Sequence, residues 1–325
     1  TYLMVVENGD TNYSNTQLFK TGKNTLRTLS GNWNDTNWTK GVPDTIDNVI
    51  IPTNQELIIP NGVNAKANTI YLRDGLGDNK AELKIQGSLE YNNAVIEADF
   101  NGYTNNLDGW NLFSLPINPL NISQDTIGQV YFNTGNNDDL YYWQEDYTDT
   151  SNLGRWVNYK SIPGGSGDFF KTQRGYLVSY NQNKKLEFEG RINDSASYTL
   201  LDNASLSLPN SERGWHLCAN PYPFTLSIDN FNRTNVSNPS LLDPQTLKYT
   251  TLDVTVPTNY KIPPYSGFFV QVANQTNNLS ITKEGNGSKA TINPSNFIEV
   301  KLISDLGVDK TKVLFIQGTS YGFDV

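Results

Sequence analysis

Two blocks of this sequence occur twice, in the same order. GWNLFSLPINP at 109–119 returns as GWHLCANPYPF at 214–224, and RGYLVSYNQNKKLEFEG at 174–190 returns as SGFFVQVANQTNNLSITKEG at 266–285. Because both the order and the character of the blocks are kept, we expect two copies of one structural unit. The first copy carries extra residues between its blocks, within the polar stretch 133–156.

Short runs rich in β-branched and aromatic residues alternate with turn residues along the whole chain, as in NVIIP at 48–52 and GFFVQV at 267–272. This pattern is typical of sandwiches and barrels, and no window shows a sustained helical period. We therefore predict an all-β protein. Its expected parts are an N-terminal solenoid-like or meander module at 1–100 and two homologous, jelly-roll-like β-sandwich units at 101–205 and 206–325.

Charge and composition exclude several classes of protein. The formal net charge of -9 argues against nucleic-acid binding, which needs a basic surface. No apolar run approaches the roughly 20 residues that a transmembrane helix requires. The single cysteine rules out an intramolecular disulfide framework.

Several segments together resemble a family of secreted Bacteroidetes proteins exported by the type IX secretion route. The segment SGNWNDTNWTKGVPDTIDNVIIP at 30–52 looks like the frequent N-terminal module of these proteins. The phrases GW-L---NPYP at 214–223 and IPPYSGFFV at 262–270 are similar to the unit that precedes their C-terminal sorting domain. The end of the chain, 297–325, is similar to the family's F----T-GFD segment.

The resemblance implies a place outside the cell, at the cell surface, more than it implies an activity, because this unit accompanies enzymes, adhesins and other proteins alike. The family pattern would have Asn, an aliphatic residue and Gly where this chain has His216, Cys218 and Ala219. Relatives also continue beyond the position of Val325 into further strands and a sorting domain, so we expect the second unit to be cut short before that domain.

His216 and Cys218 are the sole histidine and cysteine, and on a strand they would share one face. Such a pair could be a thiol nucleophile or half of a metal site. The aligned residues of the other copy are Asn111 and Phe113, which have neither property. We therefore interpret the pair as a half-buried part of a strand, with Cys218 as a small buried hydrophobe.

The aromatic and acidic stretch 138–156 offers two further functions. Flat rings could form a platform on which sugars stack, and the candidates are Tyr141, Tyr142, Trp143, Tyr147 and Trp156. Carboxylates could hold calcium, although the regular D-x-D-x-D-G loop is missing, and the candidates are Asp138, Asp139, Glu145, Asp146 and Asp149. The alternative is a strand pair with buried aromatics and a solvated loop.

Asp-Thr/Ser-aliphatic tripeptides look like the O-glycosylation sites of exported Bacteroidetes proteins, which makes Thr45, Thr126 and Ser195 candidates. Chance occurrence in a chain so rich in Asp, Thr and Ser is the alternative. Trp110 and Trp215, each after a glycine, are predicted to anchor the cores of the two units. No nucleophile elbow, HExxH or P-loop motif appears, and we predict no enzyme activity and no required cofactor.

The leading hypothesis is a non-catalytic, structural or adhesive surface protein. Both ends of the chain, TYLMVVE and KVLFIQG, have the pattern of strands, and strand edges could pair with other copies or with other cell-surface components into a fibre or layer. A carbohydrate-binding module that contacts glycans is the second hypothesis. A polysaccharide-active enzyme is the third.

Overall fold

The computed structural model describes residues 22–75, 79–104, 109–119, 127, 138–145, 155–161, 169–193, 198, 200, 213–227, 230–243, 248–252, 261–272, 277–281, 297–304 and 307–314. In this part the protein is all-β, which confirms the predicted fold class. Among these residues, none belongs to a helix of the length and apolarity needed to cross a membrane.

The strands are β1 (Asn24–Leu26), β2 (Gly31–Asn32), β3 (Asn48–Ile51), β4 (Glu56–Ile59), β5 (Asn64–Leu72), β6 (Glu82–Ile85), β7 (Ser88–Phe100), β8 (Trp110–Ser114), β9 (Asp139–Trp143), β10 (Trp156–Asn158), β11 (Gly175–Ser179), β12 (Lys184–Gly190), β13 (Trp215–Ala219), β14 (Phe231–Thr234), β15 (Ser240–Leu242), β16 (Tyr249–Thr251), β17 (Gly267–Gln271), β18 (Asn278–Ile281), β19 (Phe297–Ser304) and β20 (Gly307–Leu314). A 3₁₀ turn at Tyr159–Ser161 follows β10.

The N-terminal strands form two parallel ladders. β1, β3, β5 and β7 make one ladder, while β2, β4 and β6 make the other. Because the first strands alternate between the ladders along the chain, each coil of chain lies on the coil before it. A meander would instead pair successive strands antiparallel. We call residues 22–100 the stack.

Strand alternation and side-chain ladders explain why this sequence stacks. Apolar side chains at every second position of β3 and β4, such as Val49 and Ile51, are buried between the ladders. Asparagines also align from coil to coil: each side-chain amide donates to the next side-chain carbonyl, from Asn92 to Asn68 (3.0 Å), from Asn68 to Asn48 (3.0 Å) and from Asn48 to Asn24 (2.8 Å). In-register parallel strands favour such ladders.

The W–W segment closes the first coil of the stack. The Trp33 and Trp38 rings meet edge to face with centroids 5.5 Å apart, and the Trp38 indole N–H donates to the Trp33 carbonyl. Arg27 is fully buried, lies over the Trp38 ring and pairs with the Asp35 carboxylate. Residues 37–39 hydrogen-bond along the outer side of the chain from Leu26 to Thr28, so they cover the edge of β1.

The two repeats fold into sheets of the same design. Their strand orders are β10-β9-β11-β8 and β16-β15-β17-β13, so corresponding strands hold corresponding places. The register is also repeated: Trp110 pairs with Ser179 in the first sheet, and Trp215 pairs with Gln271 in the second. The sequence repeat is therefore a structural repeat at the level of individual residue pairs.

The two copies differ in where their apolar side chains go. The first unit shares one continuous core with the stack, in which Phe113 of β8 packs against Phe100 of β7 and Phe188 of β12. β12 pairs antiparallel with β7, so a strand of the first repeat completes a sheet of the stack. The second unit encloses a smaller core of its own around Phe268 and Val270. The three-module division at residues 100 and 205 stays a prediction.

Candidate functional site

The two units meet through a reciprocal contact of glycine with leucine. A Cβ on Gly175 would lie 2.7 Å from Leu217 Cγ, and a Cβ on Gly267 would lie 3.3 Å from Leu112 Cβ. Gly175 and Gly267 occupy the same place in the repeat, as do Leu112 and Leu217. Each unit therefore has glycine at the position where the leucine of the other unit packs against its backbone.

Polar contacts at this junction follow no such symmetry. The Ser114 hydroxyl donates to the Asn220 carbonyl (2.8 Å), and the Ser114 backbone N–H donates to the Tyr265 carbonyl (2.8 Å). The aligned residue of the second copy, Ala219, has no hydroxyl. Tyr265 is buried in the core shared by the stack and the first unit and has a left-handed φ of 59°. A loop of the second unit thus enters the core of the first.

A buried ion pair of Glu145 and Arg155 lies at the junction. The buried Glu145 carboxylate accepts a hydrogen bond from the Gly214 backbone N–H of the second unit and pairs with Arg155 at 3.1 Å. Burial raises the pKa of this carboxyl, while the Gly214 hydrogen bond and the Arg155 charge act in the opposite direction. The Trp143 indole N–H donates to the Trp215 carbonyl (2.7 Å) beside it. Glu145 therefore anchors one unit to the other.

A band of aromatic rings crosses the junction. Neighbouring centroids are 5.2 to 6.4 Å apart, and ring planes cross at 59° to 84°. The rings run in order from Trp110 through Tyr141, Trp156 and Trp143 to Phe269, and Trp215 and Tyr249 each pack on Phe269. The prediction that Trp110 and Trp215 anchor the cores is wrong, because both are half-buried on the face opposite Phe113 and Cys218.

The structure separates the predicted sugar platform into parts. Tyr141, Trp143 and Trp156 lie half-buried on one face, but Tyr142 points the other way into the core and cannot stack on a ligand. Trp143 and Trp156 meet edge to face and both pack against Phe269, so they do not form a flat surface. Tyr147 lies outside the described residues.

The predicted calcium ligands are not brought together. Asp139 begins β9 and Glu145 follows its other end, and the strand alone is about 13 Å long. Asp139 pairs with Lys160 at 3.0 Å, and Glu145 is held in the junction. Asp138 is half-buried before β9, while Asp146 and Asp149 lie outside the described residues. In the described part of the chain, no group of three or more His, Cys, Asp or Glu side chains could hold a metal ion.

His216 and Cys218 lie on β13 and share the face that carries Val270 and Phe268 of β17. Cys218 is buried in the second core, and burial raises the pKa of its thiol far above the usual range. A neutral, enclosed thiol is a poor nucleophile. His216 is half-buried. Both positions agree with the interpretation of the pair as part of a strand.

Of the three O-glycosylation candidates, only Thr45 is described. Its side chain is half-exposed in a turn, where its hydroxyl and backbone N–H both approach the Asp44 carboxylate. Thr126 and Ser195 lie outside the described residues. Modification at the three sites stays a prediction.

Sequence reasoning missed the role of Asn220 in the NPYP phrase. This side chain is fully buried, and its amide donates to the carbonyls of Phe224, Ile262 and Pro263. Its own carbonyl accepts the Tyr222 backbone N–H. Asn220 thus ties the NPYP turn to the IPP segment of the same unit. The joint occurrence of the two phrases was the signal that could have revealed it.

Comparisons with protein-family models, with curated proteins and with solved structures found no match to this chain.

Proposed function

We propose that this chain is an extracellular, non-catalytic surface protein with a structural or adhesive role. The observation that supports this proposal best is the way its parts are joined. A capped stack and a β-unit share one core, and a second β-unit is attached by matched apolar contacts and a buried carboxylate. Such joints transmit force between the parts and hold a surface in a fixed orientation.

Self-association through strand edges is the second element of the proposal, and some strand edges are covered within the chain itself. The edge of β1 is covered by residues 37–39, and β6 receives the Pro223 carbonyl through the Leu83 backbone N–H. The hairpin of β19 and β20 pairs only with itself among the described strands. The β14–β18 pair is likewise a two-stranded sheet, so an unpaired edge alone does not single out the hairpin. We assign the contact between copies to the hairpin because β20 contains the start of KVLFIQG, a strand predicted to pair between copies, whereas TYLMVVE lies outside the described residues.

Electron microscopy and sedimentation of the native protein test the proposal. We expect fibres, sheets or discrete oligomers that grow with concentration. A variant with Val300→Pro and Thr311→Pro, which removes backbone donors from both hairpin strands, should abolish them. Monodisperse monomers of 36.4 kDa at high concentration would contradict self-association.

Carbohydrate binding is the second candidate function, and one observation favours it. The half-buried Trp110 and Tyr141 rings lie near a polar group formed by the half-buried Asp139 and Asn158 and the exposed Lys160. Sites for neutral sugars combine ring faces with a small number of polar groups in this way. An adhesive protein of the cell surface would use such a site to hold a glycan.

A further inference from the structure

We propose that Asn61 is a site of spontaneous deamidation in the folded protein, where the asparagine side chain is converted into a carboxylate. A glycine that follows asparagine leaves its backbone nitrogen open to attack the asparagine side chain, because glycine has no Cβ. The sequence has four Asn-Gly pairs, at 8–9, 61–62, 101–102 and 286–287. The first and the last of these lie outside the described residues.

Asn61 and Gly62 are the two central residues of a turn between β4 and β5. The Val63 backbone N–H donates to the Pro60 carbonyl (3.1 Å), and Gly62 has a φ of 80°, as a type II turn requires. Both central residues are exposed, and a Cβ on Gly62 would meet no atom within 4 Å. Among the described residues, neither the Asn61 side chain nor the Gly62 N–H has a hydrogen-bond partner. The Gly62 nitrogen is therefore free to react.

The reaction needs only these two residues and water. The Gly62 nitrogen attacks Asn61 Cγ and forms a new C–N bond. The bond from Cγ to Nδ2 breaks, and the proton of the Gly62 N–H leaves with Nδ2 as ammonia. Water then opens the resulting five-membered succinimide ring. Opening at Cγ gives aspartate, and opening at the main-chain carbonyl carbon gives isoaspartate.

The second described pair, Asn101-Gly102, is held in a different way. The Gly102 backbone N–H donates to Asn183 Oδ1 (3.0 Å), and a Cβ on Gly102 would clash with the backbone of Gln182. Both residues of the pair are half-buried, and the Asn111 side-chain amide donates to the Asn101 carbonyl (3.1 Å). Attack by the Gly102 nitrogen requires this segment to open first, so local stability slows the reaction.

Modification of Asn61 would alter a contact between coils of the stack. A Cβ on Gly87 would clash with the carbonyl oxygens of Pro60 and Val63, so the next coil packs directly against this turn. Isoaspartate adds a backbone carbon to the turn. Either product adds a negative charge to a chain whose formal net charge is already -9. The reaction requires no partner, and it is independent of the proposed role at the cell surface.

Peptide mass spectrometry of the full chain, aged in mildly alkaline buffer, tests the inference and separates the four Asn-Gly pairs from one another. We expect the peptide with Asn61 to exchange an amide mass for a carboxyl mass over time. The peptide with Asn101 should do so about tenfold more slowly or less. Asn61→Gln is the matched control and should keep its mass, because glutamine would have to close a larger ring.

Ageing in urea provides the second comparison. Both described pairs should then react at similar rates, because neither is held by the fold, and circular dichroism of the native sample shows that it stays folded throughout. No conversion at Asn61 in the folded chain would overturn the inference. Equal rates at Asn61 and Asn101 in the folded chain would overturn it as well.

Discussion

The two copies of the repeat have the same strand order and the same register, yet they depend on different surroundings. Phe113 of the first copy packs on Phe100 of the stack and on Phe188 of β12, whereas Cys218, at the aligned position, fills a small core within its own unit. The difference shows that a duplicated unit keeps its backbone design while its side chains adapt to what each copy touches. It also predicts that equivalent substitutions in the two copies have unequal effects.

The largest inequality is expected at the aligned pair Phe113 and Cys218. Phe113→Ala should lower the free energy of unfolding by about 3–5 kcal/mol, because it leaves a cavity in the core that joins the first unit to the stack. Cys218→Ala removes a much smaller side chain and should cost about 1 kcal/mol. Urea unfolding followed by circular dichroism measures both. Similar losses in the two variants would show that the two cores contribute alike.

The aligned glycines give the next largest inequality. A Cβ on Gly175 would lie 2.5 Å from the Cys218 carbonyl oxygen, so the backbone would have to move to avoid a clash. A Cβ on Gly267 would lie 3.3 Å from its nearest neighbours, which is a much milder contact. Gly175→Ala should therefore cost about 1–3 kcal/mol of unfolding free energy, and Gly267→Ala less than about 1 kcal/mol. The reverse order, measured by the same urea titration, would contradict the reported junction geometry.

The asymmetric hydrogen bond of Ser114 should have a smaller effect. Ser114→Ala leaves the buried Asn220 carbonyl without this donor and should lower the free energy of unfolding by about 1 kcal/mol. Ser161→Ala, which changes an exposed serine of the same unit, is the control and should be near neutral. Equal unfolding free energies for the two variants would show that the Ser114 hydrogen bond does not stabilise the junction between the units.

The Cys218 thiol should show the least change under native conditions. Burial raises its pKa, so at pH 8 the native protein should react with iodoacetamide far more slowly than an exposed cysteine does. Labelling should become fast when urea unfolds the second unit, and mass spectrometry can follow it. Rapid labelling of the folded protein would mean that the second core is open to solvent.

Much of the strand pattern could be predicted from local sequence. The short apolar runs NVII and ELII predict the strands β3 and β4, although only alternate side chains of each are buried, and the duplicated GW and GY/GF phrases indicate strands with equivalent places. These features depend on residues close in sequence, where side-chain periodicity determines which face is buried. The Asn24 to Asn92 ladder was not predicted, because it depends on pairing between coils.

The candidate site was harder to predict, because it depends on which face of each strand another unit covers. Trp110 looked like a core residue since it is large and apolar, but strand alternation places it opposite Phe113. Glu145 was a candidate calcium ligand, but its carboxylate accepts a hydrogen bond from the backbone N–H of Gly214, which is distant in sequence. No local pattern reports such contacts.

The claim that the stack and the first unit form one folded body can be tested most directly by native-state hydrogen exchange with mass spectrometry. Because β7 and β11 border one continuous core, we predict that their amides exchange through a single opening with the same free energy and the same response to low urea. An opening that exposes β11 and β8 at a lower free energy, while β7 and β5 stay protected, would contradict the claim.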